Sequence, residues 1–326
     1  MTSSPGDRSA AGDVQEPVRV AICALTFLRP LGLRHLVDGL AMLKVPDAVD
    51  VRIFIVDNDP EASAAPIVED LATTLPDHLA IDYRHEPTRG ISHARNAAVR
   101  AATEWGAYWL CFIDDDERPD PAWLVEFLGT AERTGADIVS GPVLPEFEID
   151  PPAWVIDGGF FASPRYPQDS PMVYATTSSV LIRRAILDPV DGPFDLAFSR
   201  SGGEDTHLFA QLREAGHRLA WSDTALVRET VPPSRVNVRW MLMREYRRGQ
   251  TLSLSLRRRG GSRFLLARRG GKGGYEILAG IAAAIIGIFR GRDRVMKGAR
   301  RVVFGAGILT GLVGYQHDEY ATTHGR

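Results

Sequence analysis

Four carboxylates in a row, Asp114, Asp115, Asp116 and Glu117, follow the apolar run WLCFI, and two prolines and a tryptophan come directly after. Crowding like charges is unfavourable unless a cation sits among them. Carboxylates and water are the ligands that hard divalent ions prefer, so the stretch reads either as a solvated acidic turn or as half of a site for Mg²⁺ or Mn²⁺. A second group, Asp57, Asn58 and Asp59, ends the run VRIFIV, and Thr26 ends VRVAICAL. Glu204 and Asp205 open a helix-like segment, SGGEDTHLFAQLREAG. At a helix start the dipole favours negative charge, which is a structural reason for both carboxylates. Arg95 lies among small apolar residues in ISHARNAAV, a setting unlike that of an exposed helix arginine.

These residues need elements to hold them. Strand-like runs at 18–25, 51–56, 79–85 and 107–113 alternate with helix-like segments at 33–43, 67–75, 91–102 and 121–135. Such βα spacing predicts a mostly parallel sheet covered by helices, with ligands beyond the carboxyl ends of the strands. Thr26, Asp57, Asn58 and Asp114–Asp116 all fall just past strand ends and should gather on one rim. Residues 142–171 hold seven prolines with Trp154, Phe160 and Phe161 between them, and are expected to form a long substrate-covering loop. Strand character returns at 172–184. Cys23 and Cys111 sit inside strand-like runs with no CxxC or histidine neighbour, and are expected to be reduced core residues.

Seven motifs in order, AICALTFLRP, FIVDNDP, RGISHARNAAV, FIDDDERPDPAW, ATTSSVLIRR, SGGEDTHLF and MREYRRGQ, resemble the family 2 glycosyltransferases of the GT-A fold, in particular bacterial enzymes that extend lipid-linked exopolysaccharide units. The resemblance implies a Rossmann-like, mostly parallel α/β sheet flanked by helices, and inverting transfer of a sugar from a nucleotide-sugar donor. By the match to the DxD signature, Asp116 would bind the metal, and Asp114 would contact the ribose or the metal's water shell, with Asp115 at the variable middle position. Thr26, Asp57 and Asn58 match base-contacting positions, although many members have a second aspartate in place of Asn58. Arg95 and Asn96 match residues that hold the nucleotide. Asp205 matches the catalytic base, and Glu204 would orient or bind the acceptor. Glu229 either approaches the metal or is an ordinary loop carboxylate. His207 stands where an acidic residue is common and is expected at the surface. Arg244, Arg247 and Arg248 either close over the leaving diphosphate or form a membrane-facing basic stripe.

The formal net charge of −3 hides an asymmetry. From Arg235 onward there are 19 Lys+Arg against 5 Asp+Glu, while the rest of the chain carries 19 against 36. Residues 257–272 hold seven basic residues and no acid, and two apolar segments of 15 and 14 residues follow at 275–289 and 302–315. Each falls short of the roughly 20 residues of a straight transmembrane helix, so a shallow or interfacial hairpin on an anionic membrane surface is expected, and not nucleic acid. A pair of soluble helices completing the domain is the alternative. The expected organisation is a disordered lead over 1–17, a glycosyltransferase domain over 18–250 and a basic, partly apolar helical tail over 251–326. The N-terminus lacks the apolar core of a signal peptide. The expected place is therefore the cytoplasmic side, at the inner face of the plasma membrane, with a glycan or polyprenyl-linked saccharide as acceptor. A sugar-nucleotide nucleotidyltransferase and a catalytically inactive glycan- or membrane-binding scaffold remain as alternatives.

Overall fold

The computed structural model describes residues 16–188 and 192–315. The lead expected over 1–17 lies outside them except for its last two residues. In chain order the first elements are β1 (Val18–Thr26), α1 (Pro30–Leu40), β2 (Val49–Asp57), α2 (Ala65–Ala72), β3 (Leu79–His85), α3 (Ile91–Glu104) and β4 (Trp109–Ile113). Then come β5 (Glu117–Pro119), α4 (Trp123–Thr134), β6 (Ile138–Ser140), β7 (Val143–Phe147), α5 (Ala153–Gly158), β8 (Pro171–Met172) and β9 (Ser179–Arg183). The last are α6 (Glu204–Glu214), β10 (Leu219–Trp221), β11 (Val227–Val231), α7 (Val238–Arg258), α8 (Arg263–Ile288) and α9 (Arg292–Leu312).

The main sheet has the order β3-β2-β1-β4-β9-β6-β10-β8. Its first four strands are parallel, whereas β9 and β8 run antiparallel to their neighbours. Both faces are covered, which explains the continuous apolar runs. Val20, Ile22 and Ala24 of β1 face a core shared with Leu36, Val68 and Trp123, and the alternate residues Ala21 and Cys23 face one shared with Ala98, Phe112 and Phe209. Cys23 and Cys111 are buried free thiols in the core, as expected. Strand order reverses between β1 and β4, the crevice where open α/β sheets bind ligands. A small second sheet, β5-β11-β7, stands beside it.

Three sequence expectations change. Residues 142–171 are not one loop, because β7 and α5 form within them. The boundary drawn after residue 250 falls inside α7, which is continuous from Val238 to Arg258. The basic run is divided, with Arg257 and Arg258 ending α7, and its second half from Arg263 merges with the first apolar segment into one 26-residue helix, α8, the one helix among the described residues long and apolar enough to cross a membrane. It forms a hairpin with α9, and their backbones meet through glycines. A Cβ on Gly298 would lie 2.4 Å from the Ala284 nitrogen, and one on Gly305 would lie 2.5 Å from the Gly273 oxygen. The other side of α9 meets α7 in the same way, through Gly307 against Tyr246 and Gly311 against Gln250.

Candidate active site

Extending the β1–β4 register past its last pair, Cys23 with Phe112, places Thr26 beside Asp115. The Thr26 hydroxyl donates to Asp115 Oδ2 at 2.9 Å. Two residues on, Leu28 has φ +55°, a left-handed backbone that side chains rarely adopt. That turn delivers Arg29, whose Nη1 donates to Asp115 Oδ1 at 2.8 Å and to Asp116 Oδ2 at 3.2 Å. Helix α1 begins at once and packs against the acidic loop so closely that a Cβ on Gly32 would lie 2.5 Å from the Asp115 carbonyl oxygen. Glu117, itself buried, accepts a 2.8 Å bond from the Asp114 amide and fixes the bend.

These groups floor a pocket of about 280 Å³ lined by Thr26, Arg29, Asn58, Arg95, Asp114–Asp116, Glu229, Arg235 and Trp240, with the start of α3 on one side. Glu229 is brought there by the small sheet, in which β11 pairs with β5 so that Glu229 lies opposite Glu117. Arg235, on a 3-10 turn after β11, donates to Asp116 Oδ2 at 2.7 Å and Glu229 Oε1 at 2.6 Å. Asp114 is the most accessible carboxylate, with 42% of its side chain exposed, against 7% for Asp115 and 18% for Asp116. Enclosure by the pocket walls, with Asp116, Asp115 and Glu229 adding repulsion, pushes the Asp114 carboxyl up to about 7 against the pull of Arg95. Burial and the Asp116 charge raise Glu229 as well.

Arg95 is buried and joins the floor to α6, lying 3.8 Å from Asp114 and ion-paired with Glu204. Glu204, 1% exposed, therefore holds Arg95 and does not present itself to an acceptor. Asp205, the next residue, is half-buried, and its Oδ1 accepts from the Thr206 amide at 2.5 Å. It does not line the pocket. The helix start is set by Gly203, whose φ of +92° and close approach to Thr251 exclude a side chain.

Other sequence candidates turn out to hold the frame. Asp57 has no exposed surface, and its oxygens accept from the amides of Asp59 and Ala64 and from the Tyr83 hydroxyl. Asn58 lines the pocket but spends its amide on the segment before α3, donating to the Glu86 and Thr88 carbonyls and accepting from Gly90 N, each at 2.8 Å. Asn96 clamps both backbone polar groups of Phe194 at 2.9 Å. His207, expected at the surface, is 3% exposed with Nδ1 3.2 Å from Ser255 Oγ, and burial lowers its pKa. Of the three α7 arginines, Arg244 lies 5.4 Å from the ring of the pocket residue Trp240. Arg248 turns to Glu245 and Phe304, while Arg247 is half-buried on the same helix. Neither lines the pocket. Sequence reasoning missed Arg29, Arg235 and Trp240 and gave Asp115 no role beyond the variable middle position, although Arg29 shares the signal of lying just beyond a strand.

Asp114 and Asp116 with Glu229 are the hard oxygen donors that Mg²⁺ or Mn²⁺ favours. Among the described residues no three carboxylate, imidazole or thiol groups converge to hold an ion alone. An ion there would take one or two of these carboxylates and need waters and a ligand's phosphates to complete its shell.

The family model described as "Glycosyl transferase family 2" matches residues 22–190. The succinoglycan biosynthesis protein ExoM of Rhizobium meliloti (strain 1021) is 33% identical over 307 residues, 93% of this chain and 96% of that protein. Among solved structures, the mannosyltransferase PcManGT from Pyrobaculum calidifontis, in complex with GDP-Man and Mn²⁺, has TM-score 0.60 at 17% identity, over 90% of this chain and 88% of that one. S. aureus TarS 1–349 in complex with UDP has TM-score 0.51 at 14% identity, over 91% and 92%. These structural likenesses bear on the fold, which is GT-A as the motifs implied.

Proposed function

Since this chain belongs to glycosyl transferase family 2, we propose that it is a metal-dependent, inverting enzyme that moves a sugar from a nucleotide-diphosphate donor to a glycan or polyprenyl-linked saccharide in cell-surface polysaccharide synthesis. The observation that carries this reading is the pocket at the β1–β4 switch point, with Asp114 and Asp116 on its floor and the start of α3 beside them. Family membership replaces the nucleotidyltransferase alternative, and its catalysis replaces the inert scaffold. The polysaccharide context is supported by the similarity to ExoM over almost the whole of both chains.

Asp114 and Asp116 would hold the ion, which when bound neutralises the departing diphosphate. Thr26 and Asn58 line the pocket and would meet the nucleoside, with Asp57 fixing the strand end behind them. The N-terminus of α3 favours anions through its dipole and amides, and Arg95 in its second turn keeps Asp114 oriented. Asp205 would accept the proton of the acceptor hydroxyl as that oxygen bonds to the anomeric carbon. The bond from that carbon to the diphosphate oxygen breaks on the opposite face, inverting configuration.

The acceptor would be met at a membrane. The outer face of α8 exposes Leu278, Ile281, Ile285 and Phe289, roughly opposite its glycine seam. Exposed Arg263, Arg268 and Lys272 lie before that apolar face, and exposed Arg290, Arg292 and Arg294 lie after it. Apolar residues flanked by basic ones match the boundary of an anionic leaflet, with α8 lying in the interface. The test is incubation of the purified protein with UDP- and GDP-sugars, Mn²⁺ and a lipid extract of membranes. Nucleoside diphosphate should be released, and NMR of the product should show the opposite anomeric configuration. Retained configuration would refute inversion, and undiminished release in the presence of EDTA would refute metal dependence.

A further inference from the structure

Charges alternate along one pocket wall in the order Asp115, Arg29, Asp116, Arg235, Glu229. Asp116 Oδ2 accepts from two guanidiniums, at 3.2 Å from Arg29 and 2.7 Å from Arg235. The two arginines come from unrelated elements, one from the strained turn at Leu28 and the other from the turn after β11. Backbone strain persists where its surroundings compensate, and the contacts of Arg29 with Asp115 and Asp116 do so here. Both guanidiniums are largely withdrawn from water, with side chains 21% and 12% exposed, and Arg235 lies 5.9 Å from the Trp240 ring centre. A planar guanidinium fits a phosphate as well as a carboxylate, so a change of partner needs little reorganisation. Asp116 is also the carboxylate that the DxD match gives to the ion.

We propose that Arg29 and Arg235 are an exchangeable pair: they neutralise Asp116 until the donor arrives, and they transfer to the donor's diphosphate when the ion takes Asp116. This rests on the metal-dependent donor reading above. It sets two affinities moving in opposite directions. Replacing Arg235 by methionine removes a competitor for Asp116, so Mn²⁺ alone, followed by electron paramagnetic resonance, should bind at least as tightly as to wild type. The same variant loses a charge-assisted contact to phosphate, so UDP or GDP with saturating Mn²⁺, followed by calorimetry, should bind about tenfold more weakly or worse. Arg29→Met should shift both in the same directions. Arg235→Lys keeps the charge without the fork and should give a smaller loss of nucleotide affinity, which keeps the test open if a methionine variant fails to fold. A fall in Mn²⁺ affinity together with nucleotide affinity would overturn the exchange, as would unchanged nucleotide affinity. Wild-type protein that binds neither UDP nor GDP with Mn²⁺ would instead take down the donor reading, and the inference with it.

Discussion

At the scale of the residue, Asp205 carries the proposed proton transfer. Its carboxylate is half-buried at the head of α6, with one oxygen held by the Thr206 amide. Asp205→Asn keeps the shape and removes the basicity, so turnover should fall by about 10²–10⁴-fold while calorimetry gives wild-type nucleotide affinity. Asp115 acts differently. Buried beneath the pocket, it ties the turn after β1 to the acidic loop through Thr26 and Arg29. Thr26→Val should cost about 1 kcal/mol and Asp115→Ala about 2 kcal/mol or more in urea unfolding, since charged hydrogen bonds are the stronger ones. The acidic run and the ED pair were legible because crowded carboxylates demand an explanation. The division of labour among them was not, because it depends on which oxygen meets which donor. Glu204 and Asp205 are adjacent in sequence, yet one is sealed against Arg95 and the other is not.

At the scale of the element, β1, β2 and β4 were readable because burial on both faces makes each a largely apolar run, while the edge strand β3, LAIDYRH, keeps only part of that signal because most of it is partly exposed. β7 and β11 were harder to see, being five residues long and partly exposed, and they matter because β11 delivers Glu229. Arg235 depends in turn on the 3-10 turn that follows β11, which no periodicity announces. The helical hairpin was visible in outline, but glycine spacing decides its packing. Gly273, Gly280 and Gly287 are buried at seven-residue spacing on α8, whereas Gly271 has nothing within 4 Å of a built Cβ. Gly298→Val should therefore destabilise by about 1–3 kcal/mol through overlap with Ala284. Gly271→Ala should be neutral or stabilising by up to about 1 kcal/mol. Thermal unfolding of the two variants measures the contrast.

At the scale of the whole molecule, the charge division after Ser234 corresponds to a structural one. The acidic part builds the sheets and the carboxylate floor, while the basic part builds α7, α8 and α9 and supplies Arg235 and Arg244 beside the pocket. Since α9 packs on α7, cutting the chain near residue 255 would damage the fold as well as remove α8. Substituting exposed residues is the cleaner experiment. Leu278→Asp with Ile285→Asp should leave thermal stability near wild type, because both side chains are exposed, and should sharply reduce flotation with anionic liposomes. Unchanged flotation would remove α8 from the membrane account. Sugar transfer from a donor held in this pocket, with Asp205 outside the pocket lining as base, is tested most directly by the single-turnover rate of nucleoside diphosphate release by wild type and Asp205→Asn at saturating donor, Mn²⁺ and membrane-lipid acceptor. Wild type should release nucleoside diphosphate and the variant should be slower by at least about 10²-fold at equal donor occupancy; equal rates for the two proteins would rule out Asp205 as the base.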